Sequence, residues 1–232
     1  PPKSYDFKIS EQDISYNTEQ TAVVVLNDYQ LDISLHRHYL DSKIRKNKGK
    51  QIHIYTNTYF LDNKFAVSFS ELFQPTAPLL AAIESNQKQI GNKYIAMVFR
   101  FQQLLGDFKE DGYKVLAKDE QNALIKKCID KVKELHTVRH PNNKTLVTSD
   151  SGRFLQEITK QLDYVCIIPG KVVHMDHTSD ANFDTYMKSF EDMLLLSKAD
   201  KIYLLQTGDM YHSGFAKRAS MINNKEYEEI IF

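Results

Sequence analysis

A chain of 232 residues is sized for one large domain or two small ones. Its 30 Lys and Arg balance 30 Asp and Glu, and a formal charge of zero argues against gripping nucleic acid across a broad face, leaving room only for a local basic cleft. The 42% hydrophobic share, with 13 Phe and 13 Tyr, is enough for a sizeable core, while 8 Gly and 6 Pro exclude collagen-like and low-complexity classes.

The chain opens on PPKSYDFKISEQD, which lacks the charged-then-apolar layout of a signal peptide. TAVVVL at 21–26 is a β-branched run bounded by polar residues and reads as a buried strand. Residues 31–46 suit a helix with a mixed face, on which His36, Arg37 and His38 form a solvated polar cluster. Gly49 breaks the pattern, and QIHIY at 51–55 alternates like a strand. Pro75 and Pro78 cannot sit inside a helix, so the next one begins near Ala77 with Pro78 in its first turn and ends at Gly91.

From there the pattern is regular. YIAMVF at 94–99 is a continuous apolar run, as in a strand buried on both faces. Residues 118–136 place Leu124, Ile125, Cys128, Ile129, Val132 and Leu135 at intervals of three and four, a helix signature. Strands follow at 145–148, 164–168, 201–205 and 228–232, separated by helices at 151–162, 183–198 and 214–222. Ser149 or Ser151 is the candidate N-cap of the first of these helices. Strand–helix alternation of this kind demands a parallel sheet covered on both faces. Ligands in such sheets bind at the carboxyl ends of the strands, where the strand order reverses.

Cys128 falls in a helix and Cys166 in a strand, so the two read as buried thiols in a reducing compartment, not as a disulfide framework. No apolar run approaches the roughly 18 residues of a membrane helix. The expected location is cytoplasmic, either free or peripheral to the inner membrane.

Four strand ends carry polar residues: Arg100; Thr148, Ser149, Asp150 and Ser151; the stretch holding His174, Asp176, His177 and Asp180; and Thr207 to Phe215, with Tyr211, His212, Ser213 and Gly214. Hydroxyl and glycine residues at a helix start favour an anion such as phosphate, and a nearby arginine clamps the same group. Together they suggest a nucleotide diphosphate site. VHMDHTSD holds metal-capable residues without the spacing of a helical His pair or a zinc finger, so a hydrogen-bonded loop is favoured over a metal site. Asp107, Glu110 and Asp41 are base candidates by residue type alone. Phosphate-loop, dinucleotide-fingerprint, serine-elbow and zinc-protease motifs are absent.

LFQPTAPLLAAI, KYIAMVFRFQQLLGDFKE, TLVTSDSGRFL, IPGKVVHMDH and SFEDMLLLSKADKIYLLQTGDMYHSGFAKRASMI together resemble bacterial glycosyltransferases of the fucosyltransferase-like superfamily, nodulation-type and protein O-fucosyltransferase-type. The resemblance runs from about residue 70 to 232. It implies an α/β protein of the two-lobed GT-B kind: a partial acceptor-side lobe over 1–90 and a Rossmann-like donor lobe over 91–232. It implies inverting transfer of fucose from GDP-fucose to a hydroxyl of a glycan or glycoconjugate, with no metal and no other cofactor. Nucleic acid and an integral membrane segment are not expected.

Carried over by motif, Arg100 is the catalytic arginine that stabilises the β-phosphate of the leaving GDP. Thr148, Ser149 and Asp150 line the nucleotide pocket, Asp192 lies on the guanine side, and Ser213, Gly214 and Phe215 meet the diphosphate. His174 and Asp176 are loop contacts. Val98 stands where the family has histidine, and the glycine-rich opening of the first lobe is not found. About 90 residues precede the second lobe, as in a chain that begins partway through the first lobe or a minimal member. Two other readings stay open: a non-catalytic nucleotide or nucleotide-sugar binding module, and a metal-dependent hydrolase using His174, Asp176 and His177.

Overall fold

A computed structural model describes residues 14–26, 33–56, 65–107, 114–170, 172 and 183–232. The chain divides into two compact units, Pro1–Phe73 and Gln74–Phe232. The first holds β1 (Thr21–Leu26), α1 (Ile33–Lys46), β2 (Gln51–Thr56) and α2 (Phe65–Leu72). β1 and β2 pair in parallel, with Thr21 opposite Gln51 and Leu26 opposite Thr56. Alternation along β1 buries Val24 and Leu26. One expectation fails on α1: His36 is buried at 3% exposure, not solvated, while Arg37 and His38 are exposed. His36 lies on the same helix face as Leu40 and Lys43, and that face turns inward.

The second unit contains α3 (Ala77–Ile90), β3 (Tyr94–Phe99), α4 (Lys118–Arg139), β4 (Lys144–Ser149), α5 (Gly152–Gln161), β5 (Val165–Cys166), α6 (Phe183–Leu196), β6 (Lys201–Gln206), α7 (Phe215–Ile222) and β7 (Glu226–Ile231). It begins at Gln74, not at residue 91, because Leu79, Ile83 and Ile90 of α3 pack into the same core as Leu195 and Leu196 of α6. Thr76 precedes α3 and a proline occupies its first turn, as the sequence requires.

The five strands run parallel in the order β5-β4-β3-β6-β7. β3 is central and buried throughout. Its Ile95, Met97 and Phe99 face Ile125, Cys128, Ile129, Phe154 and Ile158 of α4 and α5. Tyr94, Ala96 and Val98 face α3, α6 and α7. A strand apolar on both faces is stable only between two helical layers, which is why YIAMVF carries no alternation. The Tyr94 hydroxyl donates to the Leu195 carbonyl at 2.6 Å, tying the amino end of β3 to the last turn of α6. β5 is shorter than expected, and Cys166 on this edge strand is half-buried where a buried thiol was expected.

Candidate functional site

The chain winds outward from β3 through β4 to β5, then returns to place β6 on the other side of β3. The order therefore reverses between β3 and β6, the switch point at whose carboxyl ends open α/β sheets bind ligands. Arg100 follows β3 directly, and Thr207 follows β6. The two ends are joined: the Tyr211 amide donates to the Arg100 carbonyl at 3.1 Å. The β6–α7 loop is braced from within by the Gln206 side chain, whose Nε2 donates to the Met210 carbonyl at 2.7 Å, and by a left-handed Gly208.

Asp150, at the end of β4, organises the neighbouring loop. Its Oδ1 accepts the Phe101 amide at 2.8 Å and its Oδ2 accepts the Gln102 amide at 2.6 Å. Gln102 is thereby held at φ +52°, a costly conformation for a side-chain-bearing residue. The Arg100 guanidinium stands 3.3 Å from Oδ2, with 17% of its side chain exposed against 1% for Asp150. Burial pushes the Asp150 carboxyl above its ordinary value, while Arg100 and the amides pull it back. Asp150 thus sets the direction of an arginine that still reaches solvent.

Two helices, α5 and α7, start after β4 and β6, and their starts differ. At α5, Ser151 Oγ accepts the Phe154 amide, and Asp107 Oδ2 accepts both Ser151 Oγ at 2.8 Å and the Arg153 amide at 2.7 Å. A carboxylate of the chain itself fills that end. At α7, Gly214 is the N-cap and supplies no side-chain bond, while Ser213 Oγ accepts the Phe215 amide at 3.2 Å. The Arg218 guanidinium lies over Gly214, where an added Cβ would come within 3.8 Å of it. The α7 start therefore combines amides, a hydroxyl and a guanidinium, a set suited to an anion.

Of the residues expected at the site, Arg100 is joined through its carbonyl and the Tyr211 amide to the loop that carries Ser213, Gly214 and Phe215, while its guanidinium turns to Asp150. Thr148, Ser149 and Asp150 stand at the end of β4 but are buried, at 3, 6 and 5% exposure. The Thr148 hydroxyl has no hydrogen-bond partner, and Ser149 Oγ accepts the Ser151 amide at 3.1 Å.

Asp192 is placed elsewhere. It lies one turn below Lys188 on α6, toward the end fastened to the start of β3, and both its oxygens bond Lys188 Nζ, at 2.8 and 2.9 Å. Beside it Glu191 accepts from Asn86 of α3 at 2.8 Å. Gly170, at φ +120°, closes over Lys188, and a Cβ there would meet its Cδ at 3.1 Å. His174, Asp176, His177, Asp180 and Glu110 lie outside the described residues, and Asp41 is an exposed residue of α1 in the first unit. Among the described residues no group of three His, Cys, Asp or Glu is placed to hold a metal.

Sequence reasoning missed the Asp150 clasp, the Tyr211–Arg100 link and the Asp107 cap. All three join residues far apart in the chain through a backbone group or a short polar side chain. The Lys188–Asp192 pair was readable, because four residues apart on a helix means adjacent.

A parallel sheet with this order makes the second unit a doubly wound α/β fold. No protein-family model and no curated protein matches the chain. Among solved structures it is similar to the NodZ α-1,6-fucosyltransferase soaked with GDP-fucose, at TM-score 0.53 and 11% identity over 82% of this chain. The same enzyme co-crystallised with GDP gives TM-score 0.52 at 11% identity, over 81% of this chain and 57% of that one. POFUT1 in complex with GDP-fucose gives 0.42 at 8% identity, over 87% of this chain and 58% of that one. The chain spans 58% of the length of the first NodZ chain it matches. The fold is similar to that of the NodZ α-1,6-fucosyltransferase over the part the chain spans.

Proposed function

We propose that the chain is a glycosyltransferase whose second unit binds a GDP-sugar, with fucose the sugar transferred, by inversion, to a hydroxyl of a glycan or glycoconjugate. The observation that carries this reading is the Tyr211–Arg100 hydrogen bond, which ties the end of β3 to the loop leading into α7. As the bond from sugar to diphosphate breaks, negative charge grows on the β-phosphate. A fixed guanidinium lowers the energy of that state more than the energy of the intact donor. The Ser213 hydroxyl and the first amides of α7 hold the same diphosphate. Asp150 acts as a positioning residue, aiming Arg100 while sharing its charge. Asp107 is committed to α5 and is not assigned as the base. The NodZ structures, which contain GDP-fucose or GDP on this fold, support the choice of donor.

The test is release of GDP from GDP-fucose by the purified chain, with and without glycan acceptors and with EDTA present. Release that rises with an acceptor supports transfer. A second reading, nucleotide binding without transfer, is favoured by Val98: where the family has histidine this chain has an aliphatic side chain buried in the sheet core at 4% exposure. Tight GDP binding with no release from any donor would establish that reading instead.

A further inference from the structure

The first unit carries a feature that the donor site does not use. Residues 33–50 hold six Lys and Arg against one acid, Asp41, in a protein whose formal charge is zero. Lys43, Arg45 and Lys46 fall in the last turn of α1, where cations complement the carbonyl end of a helix. Lys48 and Lys50 continue past the helix end, and with Arg37, Arg45 and Lys46 they are exposed, beyond anything capping requires.

The same segment exposes apolar side chains: Leu35 at 57%, Tyr39 at 44% and Ile44 at 41%. Leu35 and Tyr39 stand one turn apart on one side of the helix, with Lys46 two turns beyond Tyr39, and Lys43 Nζ lies 5.2 Å from the Tyr39 ring centre. Such side chains are not buried by the fold, and cations surround them. We propose that α1 and the turn after it form a docking surface for an anionic phospholipid bilayer. The cations meet headgroup phosphates while Leu35 and Tyr39 enter the boundary between headgroups and acyl chains; Ile44, nine residues from Leu35, lies on the opposite side of the helix. A polynucleotide would engage the cations but has no use for an exposed Leu35, so the bilayer is the better match. No helix among the described residues is long and apolar enough to cross a membrane, so the contact is peripheral. The inference is independent of the donor reading.

The test is co-sedimentation of the full chain with vesicles of equal parts phosphatidylcholine and phosphatidylglycerol, against vesicles of phosphatidylcholine alone. Binding to the first kind alone, weakened by salt, is expected. Each Lys or Arg near an anionic surface is worth about a fivefold change in partitioning, so joint Arg45→Gln, Lys46→Gln and Lys48→Gln lowers it about 100-fold. Joint Leu35→Ser and Tyr39→Ser lowers it about tenfold or more at unchanged charge. All five positions are exposed, and circular dichroism checks that the variants fold. Equal binding to both vesicles, no binding to either, or a triple variant that binds like wild type overturns the proposal. So does a Leu35/Tyr39 variant that binds unchanged while a homopolymeric RNA strips the chain from the vesicles, which would mark a polynucleotide surface.

Discussion

The amide of Tyr211 donates to the carbonyl of Arg100 across 3.1 Å, and this single bond makes the end of β3 and the β6–α7 loop one rim. The bond ties the backbone at the carboxyl end of β3 to the loop after β6. The guanidinium of Arg100 is oriented from a third strand by Asp150 at 3.3 Å. The rim therefore owes its shape to two contacts between residues at least 50 positions apart.

Arg100→Ala should lower transfer by roughly 10² to 10³, the usual effect of removing one donor aimed at developing charge. The position at a strand end suggests an undisturbed fold. The Asp150 pairing adds a cost of about 1–2 kcal/mol, because a buried carboxylate loses its charged partner. Arg100→Lys restores charge but not the planar fork, and should recover stability more fully than rate. Ser213→Ala should act more weakly, since amides carry much of the binding at a helix start. Steady-state kinetics with urea unfolding on each variant separates the two effects, and an unchanged rate in Arg100→Ala contradicts the assignment.

Asp150→Asn places an amide nitrogen where a carboxylate oxygen accepts a backbone N–H, so either Phe101 or Gln102 loses its bond. A cost of about 1–3 kcal/mol in unfolding free energy is expected from the unsatisfied buried amide. The Asp150 bond holds Gln102 at its positive φ, and relaxation there should displace Arg100. Transfer should fall with kcat affected more than KM, while a variant as stable as wild type would remove Asp150 from this role.

Asp107→Ala distinguishes a cap from a base. Its carboxylate satisfies Ser151 Oγ and the Arg153 amide, so stability should fall by about 1 kcal/mol. GDP affinity and the pH dependence of transfer should be retained. Abolished transfer with normal GDP affinity would show that this carboxylate takes the acceptor proton after all.

Burial drives the Asp192 carboxyl up to about 6, with Lys188 acting in the opposite direction. The unfolded chain titrates near 3.8, so between these values the folded protein holds the proton more tightly. The stability this confers is full below the unfolded value and is lost as pH rises through about 6. Asp192→Asn has no proton to lose there. Measured by urea unfolding from about pH 4 to about pH 7, the stability of wild type minus that of the variant should fall as pH rises. A difference that grows with pH would mean that Lys188 outweighs burial.

Most of the second unit was legible in the sequence because its signals are strong and local. The continuous run of β3, the three-and-four spacing along α4 and the Pro78 start of α3 each allow one structure. β5 was overestimated: YVCII is apolar enough for five paired residues, but an edge strand pairs on one side only and joins β4 at two positions. α2 was missed, since FAVSFSEL is apolar without a clear period. At the site, the residue types at the strand ends were visible but their partners were not. Asp192 shows the difference: its sequence context places it near a nucleotide, whereas its surroundings pair it with Lys188 inside the α3–α6 layer.

Calorimetric titration of the chain with GDP, with UDP as control and EDTA present, tests the central claim most directly. Micromolar binding of GDP that ignores EDTA, exceeds that of UDP and is lost in Arg100→Ala is the expected result. No binding to either nucleotide, or GDP binding that Arg100→Ala leaves unchanged, would contradict a diphosphate site at the Arg100–Tyr211 rim.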